Sequence, residues 1–228
     1  MSDTAQPEIE MADVARRLDR LRNELADLGG DHVEILAVTK GFGPSAMEAA
    51  YALGLVDVGE NYAQEMAAKI DSPAIASVAG DLRVHFIGQL QSKRVRTVAG
   101  IVAVWQSVDR LKVARQIANH APGAEIMVQV NATGEPQKAG CEPEDVGGLI
   151  SSSRDLGLHV SGLMTVGREG DDPQTRAAFA MVSSLADLWE LPRRSMGMTG
   201  DLAAAVAEGS TMIRVGTGLF GPRPARPG

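Results

Sequence analysis

The feature that most constrains the fold is a regular alternation of short apolar segments with longer amphipathic segments along the chain. The strand candidates are residues 35–39, 56–59, 84–87, 101–106, 125–130, 159–164, 194–196 and 212–215. Helical patterns fill most of the intervals between them, as in 61–70, 109–119, 143–154, 173–188 and 202–207. This alternation is typical of parallel strands joined by crossover helices. Eight strand candidates favour a closed (β/α)8 barrel over an open doubly wound sheet.

A further helix is predicted before the first strand. Its apolar residues recur at steps of four and three and are Val14, Leu18, Leu21, Leu25 and Leu28. This spacing places them on one helix face, which the glycines at 29 and 30 end. We expect the helix to pack across the barrel wall or under its floor. The 228 residues fit one barrel domain, with a core of about 8–221 and a disordered tail over 222–228.

Composition narrows the function classes. A net charge of -7 and a pI near 5.1 argue against a nucleic-acid surface, which requires clustered positive charge. The acidic amino terminus has no apolar core, so we expect no secretory signal, and no apolar run approaches the roughly 18 residues of a membrane span. Cys141 is the one cysteine, which fits a reducing cytoplasm. The four histidines show no ligand spacing, so we expect no structural metal.

Lys40 stands where the first strand candidate meets a loop. The apolar run 35–38 reads as a buried parallel strand, and 41–44 (GFGP) then breaks it. In βα folds the carboxyl ends of the strands are where ligands bind. An amine partly removed from water at such a position can have a lowered pKa and act as a nucleophile towards carbonyls. The alternative is a lysine that extends its ammonium group into solvent.

Small and hydroxyl residues close the last two strand candidates, in 195–201 (SMGMTGD) and 209–218 (GSTMIRVGTG). Such residues let backbone N–H groups and hydroxyls approach a phosphate, which barrels often hold after strands seven and eight. The candidate phosphate donors are Ser195, Gly216 and Thr217. Arg214 alternates with apolar neighbours and is predicted to point into the barrel mouth. The alternative is simple turn chemistry with an ion-paired arginine.

Together these positions supply the groups expected of a pyridoxal phosphate site. Lys40 would form the Schiff base with the aldehyde, the late strands would hold the phosphate, and Arg214 would face the ring nitrogen. An arginine there keeps its proton and leaves the ring nitrogen unprotonated. This weakens the ring as an electron sink, so carbanion chemistry would be damped.

Motifs spread over residues 14–223 carry a resemblance to a known family. They include AVTK at 37–40, GENYAQE at 59–65, HFIG at 85–88, GLMT at 162–165, SMGMT at 195–199 and GSTMIRVGTGLFGPR at 209–223. Jointly they resemble the pyridoxal phosphate homeostasis protein family, relatives of the amino-terminal barrel of alanine racemase. The departures from the family pattern include Thr199 for serine, Gly218 for alanine, and Lys93-Arg94 in the third βα loop.

The resemblance implies a fold-type III site, with an alanine racemase-like (β/α)8 barrel around the cofactor pyridoxal 5'-phosphate. By position, Lys40 resembles the lysine that binds the cofactor covalently, and Arg214 the partner of the pyridine nitrogen. Ser195, Gly216 and Thr217 match the phosphate contacts, and Asn61 matches a residue that lines the pocket.

Two functions from different classes follow. The first is a cytoplasmic, monomeric protein that binds pyridoxal phosphate reversibly, buffers it or delivers it to apo-enzymes, and turns over nothing itself. The second is an amino-acid racemase, which needs an acid/base on the opposite face of the cofactor. We favour the first, because the chain stops after the eighth strand candidate and Tyr51 and Tyr62 fall in predicted helices. A lysine-dependent aldolase acting on a sugar phosphate is a third possibility.

Overall fold

Eight parallel strands close on themselves in chain order within the described residues, each paired with the next and the last paired with the first. The computed structural model describes residues 9–135, 138–168 and 173–223. The strands are β1 Glu34–Val38, β2 Asp57–Glu60, β3 Arg83–Phe86, β4 Val102–Val108, β5 Glu125–Gln129, β6 His159–Met164, β7 Arg193–Ser195 and β8 Met212–Val215. Closure follows from the β1–β8 register, in which Ile35 pairs with Ile213 and Ala37 with Val215. The predicted closed barrel is confirmed.

Helices connect the strands and form the outer layer. The α-helices of the described residues are α1 Met11–Asp27, α2 Pro44–Ala52, α3 Ala63–Ile70, α4 Val95–Val98, α5 Leu111–His120, α6 Val146–Asp155, α7 Pro173–Leu188, α8 Leu202–Ala207 and α9 Thr217–Phe220. The predicted bounds of α7 and α8 are confirmed. The helix predicted over 61–70 begins two residues later, because the chain bends at Asn61 and Tyr62 is an N-cap with extended backbone. Among the described helices, no helix has the length and apolar character needed to cross a bilayer.

α1 covers the barrel wall. Its residues Val14, Leu18, Leu21 and Leu25 are buried, as the spacing predicts. The helix packs against α9, and the Arg17 guanidinium donates to the Leu219 carbonyl at 3.3 Å. The prediction for Leu28 is wrong. The helix ends at Asp27, so Leu28 lies at the C-cap and its side chain is 38% exposed.

A chain of buried polar side chains runs through the barrel interior, where the strands would otherwise meet through apolar layers. Arg214 donates to the Ser195 hydroxyl at 3.0 Å, and this hydroxyl donates to Gln106 Oε1 at 2.7 Å. The Gln106 amide nitrogen lies 2.7 Å from His85 Nδ1, and His85 Nε2 lies 2.7 Å from Asp57. Every link pairs a buried polar group, as a low-dielectric interior requires. His85 is therefore a satisfied core histidine.

Candidate functional site

A cavity of about 740 Å³ opens at the carboxyl ends of the barrel strands. Its lining residues lie at or after the carboxyl ends of β1, β2, β3, β5, β6, β7 and β8, so the closed barrel gathers them from the whole chain. Of the sequence-predicted site residues, those that line this cavity are Lys40, Asn61, Arg214, Gly216 and Thr217. Ser195 is the one that the structure does not bring to the cavity.

Lys40 is partly buried at the cavity wall, two residues past the end of β1. The pKa of its ammonium group is lowered from the usual value, first by burial and then by the positive charges of Arg223 and Arg214. Glu60 and Glu65 oppose this lowering. Since the net shift is downward, more of the amine is neutral and nucleophilic at a given pH than in an exposed lysine.

Two turns of small residues form part of the cavity wall. Thr199 and Gly200 belong to the turn before α8, which closes where the Met198 N–H donates to Asp201 Oδ1 at 2.5 Å. Gly216 and Thr217 form the turn between β8 and α9. The first backbone N–H groups of a helix have no partner within the helix, so turns of this kind offer donors to an anion.

Glycine at position 218 lets the two turns approach each other. A Cβ atom at Gly218 would lie 2.8 Å from the Thr199 hydroxyl oxygen and 2.9 Å from Val215 Cγ1. Both distances are below normal contact, so an alanine there would push Thr199 away. The small residue therefore keeps the Thr199 hydroxyl beside the Gly216–Thr217 turn.

Arg214 is a buried cation at the inner end of the cavity. Its guanidinium donates to the Ser195 carbonyl at 2.6 Å and to the Thr165 carbonyl at 2.7 Å, which fixes its plane. Burial lowers its pKa to about 10, while the negative charge of Asp201 acts in the opposite direction. At neutral pH the group stays protonated, so it donates hydrogen bonds without releasing a proton.

Ser195 lies below Arg214 in the barrel interior and is fully buried. Its hydroxyl bridges Arg214 and Gln106, as described above. Successive side chains of a strand point alternately into and out of the barrel, and the Ser195 side chain points inward. Because Ser195 is still part of β7, its hydroxyl lies beneath the cavity. Thr199, four residues further on, is the hydroxyl of this segment that reaches the cavity.

Asn61 stands at the edge of the cavity, immediately after β2. Its backbone approaches so closely that a Cβ atom on Gly88 would lie 2.2 Å from the Asn61 carbonyl oxygen. The Asn61 side-chain oxygen is buried and has no hydrogen-bond partner among the described residues. Since α3 begins only at Ala63 with Tyr62 as its N-cap, Asn61 does not cap the helix. A ligand hydroxyl or amine in the cavity would satisfy this oxygen.

Apolar side chains form the remaining wall, and charged ones form part of the entrance. The apolar set is Val38, Ile87, Met164, Val166 and Met198. At the entrance the Lys138 ammonium donates to the Gly167 carbonyl at 3.0 Å and pairs with Glu135. The cavity therefore combines an apolar wall, two turns of small residues and the Lys40 amine with its lowered pKa.

Several of these residues were not predicted as site residues. Thr199 was noted only as a departure from the family pattern, although its place in SMGMT, beyond the end of a strand, was the available signal. Arg223 and Met164 line the cavity because the barrel closes, and no local sequence pattern reveals that closure. Lys138, which also lines the cavity, follows residues 136–137, and these two lie outside the described residues.

Comparison with known proteins places the chain among characterised relatives. The family model described as alanine racemase, N-terminal domain, matches residues 9–224. The pyridoxal phosphate homeostasis protein of Pseudomonas aeruginosa is 38% identical over 220 residues, which are 92% of this chain and 94% of that protein. The protein of the same name in Escherichia coli is 31% identical over 230 residues, 93% of this chain and 98% of that one.

Solved structures agree with these sequence matches. PipY of Synechococcus elongatus without PLP superimposes with a TM-score of 0.80 at 33% identity, over 91% of this chain and 100% of that one. The structure of PipY with PLP bound has a TM-score of 0.76 at 32% identity and the same coverage.

Proposed function

The chain belongs to the alanine racemase N-terminal domain family and, within it, to the pyridoxal phosphate homeostasis proteins, and from this premise we propose that it binds pyridoxal 5'-phosphate reversibly through Lys40 without turning over a substrate. One observation carries the proposal. The amine of Lys40, the cation of Arg214 and the turns that contain Thr199 and Thr217 all line one cavity.

The residues present fit this cofactor chemically. The small-residue turns accommodate a phosphate, and a Cβ at Gly218 would fill the space between them. The unpartnered oxygen of Asn61 suits a ligand that carries a ring hydroxyl. Met164 and Val38 provide an apolar surface for a flat ring. Among the described residues, no cluster of metal-ligating side chains competes with this assignment.

Binding requires one covalent step by the chain's own amine. When bound, the cofactor supplies an aldehyde that a primary amine can attack. The neutral nitrogen of Lys40 adds to the carbonyl carbon, gives up two protons in total, and the carbonyl oxygen leaves as water. The lowered pKa of Lys40 favours this step, because only the unprotonated amine has a free electron pair. Water reverses the step, so the linkage is suited to holding and releasing the cofactor.

Arg214 favours weak carbanion chemistry over rapid turnover. It keeps its own proton and would only donate a hydrogen bond to the ring nitrogen, so that nitrogen would stay unprotonated and the ring would be a poorer electron sink. The Ser195 and Thr165 contacts hold the guanidinium in place, so it cannot turn away from the cavity.

Neither tyrosine, the candidate second acid/base of the racemase alternative, lines the cavity. Tyr51 donates to Asp81 at 2.9 Å on the protein surface. Tyr62 is 45% exposed and lines a neighbouring depression with Gln89 and Arg94 instead of the main cavity. We therefore propose a carrier rather than an enzyme, with apo-enzymes as recipients of the cofactor. A monomeric state and a cytoplasmic location complete the proposal, and the buried Cys141, whose pKa is raised to about 12 by burial, suits that compartment.

The first experiment tests the attachment. Purified protein is mixed with pyridoxal phosphate, its absorbance spectrum is recorded, and borohydride reduction is followed by peptide mapping. We expect a band at the edge of the visible range and a label on the peptide that contains Lys40. Lys40→Ala should remove that label and leave the far-UV circular dichroism unchanged, while Lys112→Met on the exposed surface of α5 serves as the control. A label confined to other peptides in the wild type would contradict the proposal.

A second experiment tests the absence of turnover. The loaded protein is incubated with single-enantiomer amino acids in deuterated water, and α-proton exchange is followed by NMR. We expect no exchange above that of free pyridoxal phosphate at the same concentration. Exchange at an enzymatic rate would support the racemase instead.

A further inference from the structure

We propose that Lys69 is a positioning residue that fixes the backbone on both sides of Lys40 and so aims its amine into the cavity. Lys69 lies on α3, was not singled out by any sequence pattern and does not line the cavity. The inference rests on the proposed role of Lys40 and deepens it.

The Lys69 ammonium group is buried, with its side chain 5% exposed, beneath the rim of the barrel. It donates to the Thr39 carbonyl at 2.8 Å, to Glu60 Oε1 at 2.6 Å and to Glu65 Oε1 at 2.7 Å. Three acceptors match the three N–H bonds of an ammonium group. Its position and orientation are therefore fixed.

These contacts reach both peptide groups that flank Lys40. The Thr39 carbonyl belongs to the peptide bond before Lys40 and accepts directly from Lys69. The Gly41 N–H belongs to the peptide bond after Lys40 and donates to Glu65 Oε1 at 2.5 Å, the same oxygen that accepts from Lys69. One buried cation thus anchors the chain immediately before and after the reactive residue.

The anchored segment has a backbone that needs such support. β1 ends at Val38, and Gly41 has a φ of 75°, a conformation that glycine adopts without strain. Glycine also allows many other conformations, so the turn alone does not fix the direction of Lys40. The contacts of Lys69 and Glu65 select one of them.

Fold stability alone is a weak explanation for this cluster. Burial raises the pKa of Glu60, although Lys69 and the Thr39 hydroxyl act in the opposite direction. The second carboxylate oxygen of Glu60 has no hydrogen-bond partner among the described residues. Removing charges from water costs free energy that a buried ion pair often fails to recover, and apolar side chains of similar size hold a fold equally well. The cluster is better explained by the backbone geometry that it imposes.

The test separates covalent attachment from noncovalent binding. Two probes are used, pyridoxal phosphate and pyridoxine 5'-phosphate, which has an alcohol in place of the aldehyde and cannot react with an amine. The ratio of their dissociation constants measures what the Lys40 linkage adds. In Lys69→Met we expect this ratio to fall at least about tenfold, equivalent to about 1.4 kcal/mol, with little change in affinity for the alcohol.

Glu65 provides a second pair of variants in case Lys69→Met does not fold. Its side chain is 28% exposed, so its replacement is tolerated more easily. Glu65→Ala removes the acceptor for the Gly41 N–H and should lower the ratio, whereas Glu65→Gln keeps an acceptor oxygen and should restore most of it. Lys112→Met, on the surface of α5, is the matched control and should leave both dissociation constants unchanged.

The outcomes distinguish the two proposals. If the wild type binds both probes equally and carries no label at Lys40 after reduction, the proposed function itself fails. If the wild type is labelled and the folded variants of Lys69 and Glu65 keep the wild-type ratio, Lys69 has no positioning role. Equal losses for both probes would show a general structural role and would also overturn the inference.

Discussion

At the scale of single residues, the reactivity of Lys40 depends on charges contributed by distant parts of the chain. Arg223 follows α9 near the end of the described residues, and its side chain lies beside Gly41 and in the cavity wall. Its positive charge is the largest electrostatic contribution that lowers the pKa of Lys40, second only to burial. A residue at the far end of the sequence therefore tunes the amine that follows β1.

Replacing Arg223 should shift the pH dependence of attachment. In Arg223→Gln the lowering charge is lost, so the pKa of Lys40 rises and less neutral amine is present at a given pH. We expect the midpoint of the rate of band formation against pH to move upward. Arg223→Lys keeps the charge and should keep the midpoint near the wild-type value. A midpoint that stays in place or moves downward in Arg223→Gln would contradict this assignment.

A second residue-scale prediction concerns the pair Thr199 and Gly218, which replace the serine and alanine of the family pattern. A Cβ at Gly218 would lie 2.8 Å from Thr199 Oγ1 and 3.4 Å from its methyl carbon, so the larger and smaller residues compensate each other. Gly218→Ala should weaken the binding of pyridoxine 5'-phosphate by about tenfold, a cost of about 1–2 kcal/mol that is typical of overpacking.

The double variant decides whether the compensation is real. Thr199→Ser removes the methyl group and so leaves room for the hydroxyl to rotate away from the new Cβ atom. We therefore expect Gly218→Ala combined with Thr199→Ser to recover most of the lost affinity, measured by titration calorimetry. Additive losses in the double variant would show that the two positions act independently.

At the scale of elements, β8 has the predicted bounds, whereas β7 is shifted by one residue from its prediction. The pattern predicted a strand over 194–196 and a phosphate contact at Ser195. β7 in fact ends at Ser195, whose hydroxyl joins the interior chain with Gln106 and supports Arg214. Thr199 lines the cavity from the turn before α8. The cavity begins beyond Ser195, the last residue of β7, so a residue further along the chain reaches it.

This placement gives a prediction for Ser195. Ser195→Ala should leave the affinity for inorganic phosphate unchanged, since the hydroxyl does not line the cavity. It should lower the affinity for pyridoxine 5'-phosphate, because Arg214 loses one of its fixing contacts. Thr217→Ala is the comparison variant and should weaken both ligands, as measured by calorimetry. Loss of phosphate binding in Ser195→Ala would instead show that the Ser195 hydroxyl contributes to the phosphate site.

The elements themselves could be predicted well because their signals are local. Buried parallel strands need continuous apolar runs, and α1 needs an apolar stripe, so both leave periodic patterns in the sequence. One exception is Leu28, which continues the period of α1 but lies past its last residue. The spacing of apolar residues shows which face of a helix is buried. It does not show which helical turn is the last to pack against the barrel.

At the scale of the whole molecule, barrel closure creates the contacts that no local pattern contains. Gln106 and Ser195 are 89 positions apart and bond at 2.7 Å, and Lys69 reaches the Thr39 carbonyl across 30 positions. The motifs predicted Lys40, Arg214 and Thr217 because each has a chemical signature near a strand end, and all three line the cavity. They did not predict Lys69, whose proposed role depends entirely on what the closed barrel places next to it.

The same closure should couple ligand binding to global stability. The cavity is lined by residues from seven of the strand ends, so a site that lets one ligand contact both Lys40 and the turn at Thr217 exists only in the folded barrel. A ligand at 100 times its dissociation constant stabilises the folded state by about 2.7 kcal/mol. For a chain of this size, where 1 kcal/mol raises the melting temperature by about 2–4 °C, calorimetry should show an increase of about 5–11 °C with pyridoxal phosphate. Lys40→Ala, tested at the same ligand concentration, should show a smaller increase because its affinity is lower. An equal increase in Lys40→Ala would mean that the stabilising ligand is held without the amine, and the covalent tether would then have no part in stability.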